Sequence, residues 1–153
     1  MPRYLLLMLL FASVVHSETR TEFGPTYLSD ESSGGGMLIV VERVGVWDLG
    51  VGYVSEQDVW PTWERDNGYP PVHIRSNAFM YGQRVWRKGR FEFGLGVAHF
   101  SNNNRALGSR TTYPVVIGWN FNGRLSVRLR HFSNAGSAAP NMGQDALTIG
   151  VTL

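Results

Sequence analysis

Five stretches of the chain alternate between large apolar residues and small or polar ones. Phe91, Phe93, Leu95 and Val97 share one phase, and Glu92, Gly94, Gly96 and Ala98 share the other. Trp47, Leu49, Val51 and Tyr53 stand against Asp48, Gly50 and Gly52, and Tyr113, Val115, Ile117, Trp119 and Phe121 against Val116, Gly118 and Asn120. Leu125, Val127 and Leu129 oppose Ser126, Arg128 and Arg130, and Leu147, Ile149, Val151 and Leu153 oppose Thr148, Gly150 and Thr152. A period of two is the signature of a β-strand, because successive side chains leave opposite faces. Less regular strands are expected over 20–29, 37–43 and 73–85, which brings the count to eight.

In a soluble sandwich the face opposite the core is built of long, charged residues. Here it is mostly Gly, Ala, Ser, Thr and Asn, which suits the cramped interior of a narrow barrel whose large residues face lipid. The connections support this reading. Those at 43–46, 87–90 and 122–123 are short, whereas those at 30–35, 57–71, 102–110 and 134–144 are long, and the two kinds alternate. All long loops then emerge at one end, as in an outer-membrane barrel. Trp47, Trp86, Phe91, Trp119 and Phe121 gather at the short-turn end, where an interfacial girdle belongs. The expected fold is all-β: an eight-stranded antiparallel up-and-down transmembrane β-barrel.

Composition sharpens the picture. The chain has 153 residues, 43% hydrophobic and 17% charged, with 18 Gly and no Cys. The aromatic content excludes a disordered chain, and the missing cysteines exclude a disulfide scaffold, a thiol-redox centre and a cysteine-based zinc site. A formal net charge of +2 argues against nucleic acid as a partner. Residues 1–17 combine Arg3, an apolar run from Tyr4 to Val15 and small residues before a cleavage point, so they read as a signal peptide, with the barrel occupying 18–153. The apolar run is too short for a spanning helix.

Chemistry is expected near the long loops. The strand of Leu125 continues in phase to His131 and Ser133, whose Cα atoms would lie roughly 6.5 Å apart on the apolar face. The next strand brings Asp145 into the same phase as Leu147, across the hairpin near Ser133 and diagonal to His131. A hydroxyl, an imidazole and a carboxylate are the elements of a nucleophile, its general base and an orienting acid. Placed on a lipid face, they suit a lipid substrate. The tetrapeptide His99-Phe100-Ser101-Asn102 repeats His131-Phe132-Ser133-Asn134, but Thr112 and Tyr113 stand where its acid would be needed. Ser101 and Asn102 are therefore candidate substrate contacts. Arg105 and Arg110 in the same loop could meet phosphates, and Arg128 and Arg130 face the interior, with Glu42, Asp48 and Glu92 as expected partners.

The run from His131 to Gly136, followed by Pro140-Asn141, Gly143 and an acid at 145, resembles the C-terminal signature of the outer-membrane lipid A 3-O-deacylase family (PagL, acyloxyacyl hydrolases). The segment 93–109 is similar to the region that precedes it. The resemblance implies hydrolysis of the ester-linked 3-hydroxyacyl chain of lipid A, with Ser133 as nucleophile, His131 as base and Asp145, in place of the family's usual Glu, as orienting acid. Asn134, Gly136 and Asn141 are the candidate oxyanion or substrate-binding residues. Lipid A in lipopolysaccharide is the implied partner, pairing of two copies is left open, and no metal or cofactor is expected. A non-enzymatic small barrel and a phospholipid esterase are the alternatives.

Overall fold

The computed structural model describes residues 18–28, 35–59, 72–103, 107–137 and 143–153, so the segment read as a signal peptide and Asn141 lie outside the described residues. Among the described residues there are ten strands: β1 Glu18–Leu28, β2 Gly35–Val44, β3 Trp47–Val54, β4 Gln57–Val59, β5 Val72–Ile74, β6 Asn77–Lys88, β7 Phe91–Phe100, β8 Thr111–Asn120, β9 Leu125–Ser133 and β10 Gln144–Thr152. Eight of them form a closed antiparallel barrel in chain order, sealed by the pairing of β10 with β1. Closure leaves the barrel itself without an edge strand.

The remaining two strands form a separate ribbon. The alternation over 73–85 predicts one strand, whereas Val72–Ile74 pairs with β4 and the barrel strand starts only at Asn77. The partner decides this: β4, within the connection expected to be a plain loop, captures three residues, and Asn77 turns inward to anchor the opposite loop.

Phase alternation assigns the two faces correctly in all five regular strands. Large residues such as Phe23, Leu38, Leu49, Leu95, Ile117, Leu129 and Ile149 are exposed on the outside. A closed barrel with this exterior is solvated without penalty only by hydrocarbon. Trp47, Trp86, Phe91, Trp119 and Phe121 are all exposed at the short-turn end, and Lys88, Phe91 and Trp119 are cross-strand neighbours in turn. A second belt of Tyr27, Tyr53 and Tyr113 rings the loop end. Trp47 to Tyr53 and Trp119 to Tyr113 each span six positions, about 20 Å along a strand, the same order as the apolar band of an outer-membrane barrel.

The interior holds two zones. Toward the loops, Met37, Ile39, Val41, Phe79, Phe100, Leu107 and Phe132 form an apolar plug. Toward the turns lies a buried ionic network. Glu22 binds Arg20 at 2.7 Å and Arg130 at 2.7 Å, Asp48 binds Arg20 at 2.8 Å and Arg43 at 2.6 Å, and Glu92 receives Arg128, Arg43 and Arg87. Of the acids expected to partner Arg128 and Arg130, Glu92 takes Arg128, Asp48 is an interior acid that takes Arg20 and Arg43 instead, and Glu42 is not in the network. Glu42 lies in the outward phase of β2, held by the Thr19 hydroxyl at 2.8 Å. The central acid is Glu22, on the irregular first strand. Glycines make room for these large groups: a Cβ at Gly50 would meet the Tyr81 ring at 2.4 Å, and one at Gly52 the Phe79 ring at 2.3 Å.

Candidate active site

The long-loop end of β9 carries the candidate residues. His131 and Ser133 both project outward from β9, and Asp145 projects outward from the start of β10. His131 and Asp145 are direct cross-strand partners, and Nδ1 of the ring lies 2.8 Å from Oδ1 of the carboxylate. The expected diagonal relation is therefore replaced by a direct one. Phase determines which face a residue joins, but the hairpin register that decides its partner depends on how the long connection closes.

An ionised carboxylate can only accept a hydrogen bond, so the contact calls for the proton on Nδ1, and in the neutral imidazole this leaves the lone pair on Nε2. The side chains of His131 and Asp145 are 47% and 37% exposed, which leaves the pair accessible at the rim of the apolar band. Ser133 stands two residues beyond His131 on the same face, and its Oγ accepts the Ala135 N–H at 3.1 Å. Tyr27 lies opposite Asp145 on β1, and Tyr113 lies opposite Ser133 on β8, so the set sits at the depth of the tyrosine belt.

After Ser133 the chain turns sharply. Ala135 has φ +53° and Gly136 φ +76°, and Ser137 N–H returns to the Asn134 carbonyl at 3.0 Å, which closes a turn with two left-handed residues. A left-handed alanine is strained, and the strain is held by Asn134. Its side chain is buried, donates to the Leu107 carbonyl and accepts the Gly136 N–H at 2.8 Å. Asn134 thus ties the turn to Leu107, which is inserted in the apolar plug.

Two contributors carry no signal in the phase pattern. Gly143, at φ +71°, lies so close to the imidazole that a Cβ would be 2.8 Å from His131 Cε1. The tyrosines flanking the pair become recognisable only once register is known.

The second HFSN segment sits at the equivalent end of β7, two strands away. His99 is opposite Thr111, not Thr112, and its Nδ1 is 3.2 Å from the Thr111 hydroxyl where His131 has a carboxylate. Ser101 donates to Asn77 Oδ1 at 2.7 Å, which also receives the Asn102 N–H at 3.0 Å, while Asn77 Nδ2 donates to the Asn102 carbonyl at 2.9 Å. Ser101 and Asn102 are therefore clamped to β6 as a loop anchor, away from the His131 set. Arg110 is exposed in the same connection, and Arg105 lies outside the described residues.

A family model described as lipid A 3-O-deacylase (PagL) matches residues 42–153. The lipid A deacylase PagL of Bordetella bronchiseptica is 32% identical over 99 residues, which cover 59% of this chain and 56% of that protein. The chain thus spans little more than half the length of this curated relative. A crystal structure of the outer membrane enzyme PagL aligns with a TM-score of 0.49 and 18% identity, over 89% of this chain and 98% of the other.

Proposed function

Because the chain belongs to the lipid A 3-O-deacylase (PagL) family, we propose that it removes the ester-linked 3-hydroxyacyl chain at the 3 position of lipid A in the bacterial outer membrane, acting as a serine esterase. The observation that carries the reading is the 2.8 Å contact between His131 and Asp145 on a largely apolar exterior. Polar groups on a lipid-facing surface are costly away from the headgroups, and these stand at the tyrosine belt, where a membrane lipid presents its ester linkages.

In this mechanism Ser133 Oγ attacks the ester carbonyl while Nε2 of His131 takes its proton. Asp145 holds the ring by Nδ1–H and stabilises the imidazolium. Collapse of the tetrahedral intermediate expels the sugar oxygen, which receives the proton back from His131. Water then attacks the acyl-enzyme by the same route and releases the fatty acid. Backbone donors of residues 134–136 and Asn141 are the candidates for the oxyanion, the Gly136 N–H only once it leaves Asn134 Oδ1. Among them the Ala135 N–H, already 3.1 Å from Ser133 Oγ, is the best placed to follow developing charge. Arg110 offers a guanidinium to a lipid A phosphate from the loop side.

The test is expression in a bacterium with unmodified lipopolysaccharide, followed by mass spectrometry of its lipid A. Loss of one 3-hydroxyacyl chain with the wild type and not with Ser133→Ala is expected. Asp145→Asn should lower the rate steeply, on the order of the 10⁴-fold seen when an orienting acid becomes its amide. An unchanged lipid A profile with folded protein in the outer membrane would refute the proposal.

A further inference from the structure

The short-turn end of the barrel carries cations that the interior network does not use. Arg84, Trp86 and Lys88 occupy alternate outward positions of β6. Arg84 faces Trp47 on β3 and Leu95 on β7, so a guanidinium stands where the apolar band meets the girdle, an expensive position unless the charge reaches the headgroups. Its guanidinium carbon lies 5.2 Å from the centre of the Trp86 ring, and that ring stacks on Phe93 at 5.8 Å and 30°. Trp86 is nearer the turn than Arg84, so the stack directs the cation toward the turn end.

Lys88 lies beside Phe91 in the aromatic girdle, and Arg90 and Arg124 are exposed in the two neighbouring turns. Among the described residues, none of these four cations has a carboxylate within 4.0 Å. Of the acids nearest them, Glu18 receives Arg87 at 3.5 Å, and Glu42 lies two strands away on β2, where one of its oxygens receives Thr19. A hollow of about 350 Å³ opens between the β6–β7 and β8–β9 turns, with Arg90, Phe121, Asn122 and the paired Arg87 and Glu92 on its walls.

We propose that this end of the barrel binds an anionic glycerophospholipid of the leaflet on the turn side. Its phosphate is held by Arg84, Lys88 and Arg90, and its acyl chains lie along the apolar band beside Leu95 and Leu49. Unpaired cations in an aromatic girdle complement an anionic headgroup, and the apolar row beneath them accommodates the tails. The site is at the opposite end of the barrel from His131, so its occupant is distinct from a molecule undergoing hydrolysis there. The inference stands independently of the hydrolytic reading.

The full chain, purified in a non-ionic detergent and offered equal amounts of dioleoylphosphatidylglycerol and dioleoylphosphatidylcholine, is assayed by native mass spectrometry. Preferential retention of phosphatidylglycerol is expected. Arg84→Gln with Lys88→Gln should weaken it by roughly fivefold per cation removed, whereas Arg75→Gln at the loop end should leave it unchanged. Trp86→Leu, which retains both cations and removes the platform beneath Arg84, should weaken retention by a smaller factor, and heat-modifiable gel mobility verifies that each variant is folded. Inorganic phosphate equimolar with the lipid should displace none of it. Equal retention of the two lipids, wild-type retention by the folded double variant, or displacement by equimolar phosphate would each overturn the proposal.

Discussion

Replacing Gly143 by Ala tests whether the geometry of the His131–Asp145 pair controls turnover. The substitution has two effects. Its backbone, at φ +71°, lies in the left-handed region, where a Cβ costs about 1–2 kcal/mol. The new methyl would also lie 2.8 Å from His131 Cε1 and 3.6 Å from both ring nitrogens. Restoring ordinary contact requires the ring to retreat by about 0.6 Å. A shift of that size displaces the Nε2 lone pair and disturbs the 2.8 Å contact with Asp145, since good hydrogen-bond geometry spans only about 0.5 Å. Because a misplacement of about 1 Å can cost 10²-fold in rate, turnover should fall by about 10- to 100-fold. Gly45→Ala is the matched control, since Gly45 has φ +61° and a Cβ there would meet nothing within 4 Å, at the far end of the barrel. The assay is the rate of lipid A deacylation at equal amounts of heat-modifiable, folded protein. Wild-type turnover by folded Gly143→Ala, or an equal loss with Gly45→Ala, would refute the steric argument.

Three further predictions concern the scaffold. Glu22→Gln removes the acid shared by Arg20 and Arg130, with Arg128 at 3.7 Å, and should destabilise the barrel by about 3–5 kcal/mol in urea unfolding from vesicles; a loss below about 1 kcal/mol would deny Glu22 its central place. Leu129→Arg places a charge in the middle of the outward band and should cost about 2–4 kcal/mol in lipid, whereas a change within about 0.5 kcal/mol, as on a water-facing surface, would contradict a hydrocarbon-facing exterior. Gly52→Val would drive a side chain into Phe79, which is packed against Phe100 at 5.0 Å and Phe132 at 5.5 Å, so the refolding yield should collapse and recover in part with Phe79→Ala. Full refolding of the single variant would show that the interior has slack.

The shared outward phase of His131, Ser133 and Asp145 is legible because it follows from alternation within two regular strands. Their pairing is less so. Sequence phase allows Asp145 to face either His131 or Ser133, and only the closed hairpin puts it opposite the ring. A structural role of Asn134 is similarly hidden: the sequence singles out its backbone N–H as a candidate oxyanion donor, whereas that its side chain turns inward and clamps Leu107 is visible only in the fold. Ser101 and Asn102 read in the sequence as candidate substrate contacts, and only the register of β6 against β7 reveals that Asn77, on the preceding barrel strand, holds both.

The alternation of side chains on a pleated strand is local, so the sequence alone determined the barrel class, the inward and outward faces of its regular strands, the girdle at the turn end and the face that bears His131. Contacts across the lumen and between strands depend on register and closure, which no local period encodes. Only the tertiary structure could therefore place Glu22 on β1 against Arg130 on β9, turn Glu42 outward, divert residues 72–74 into a ribbon and bring Gly143 against the imidazole.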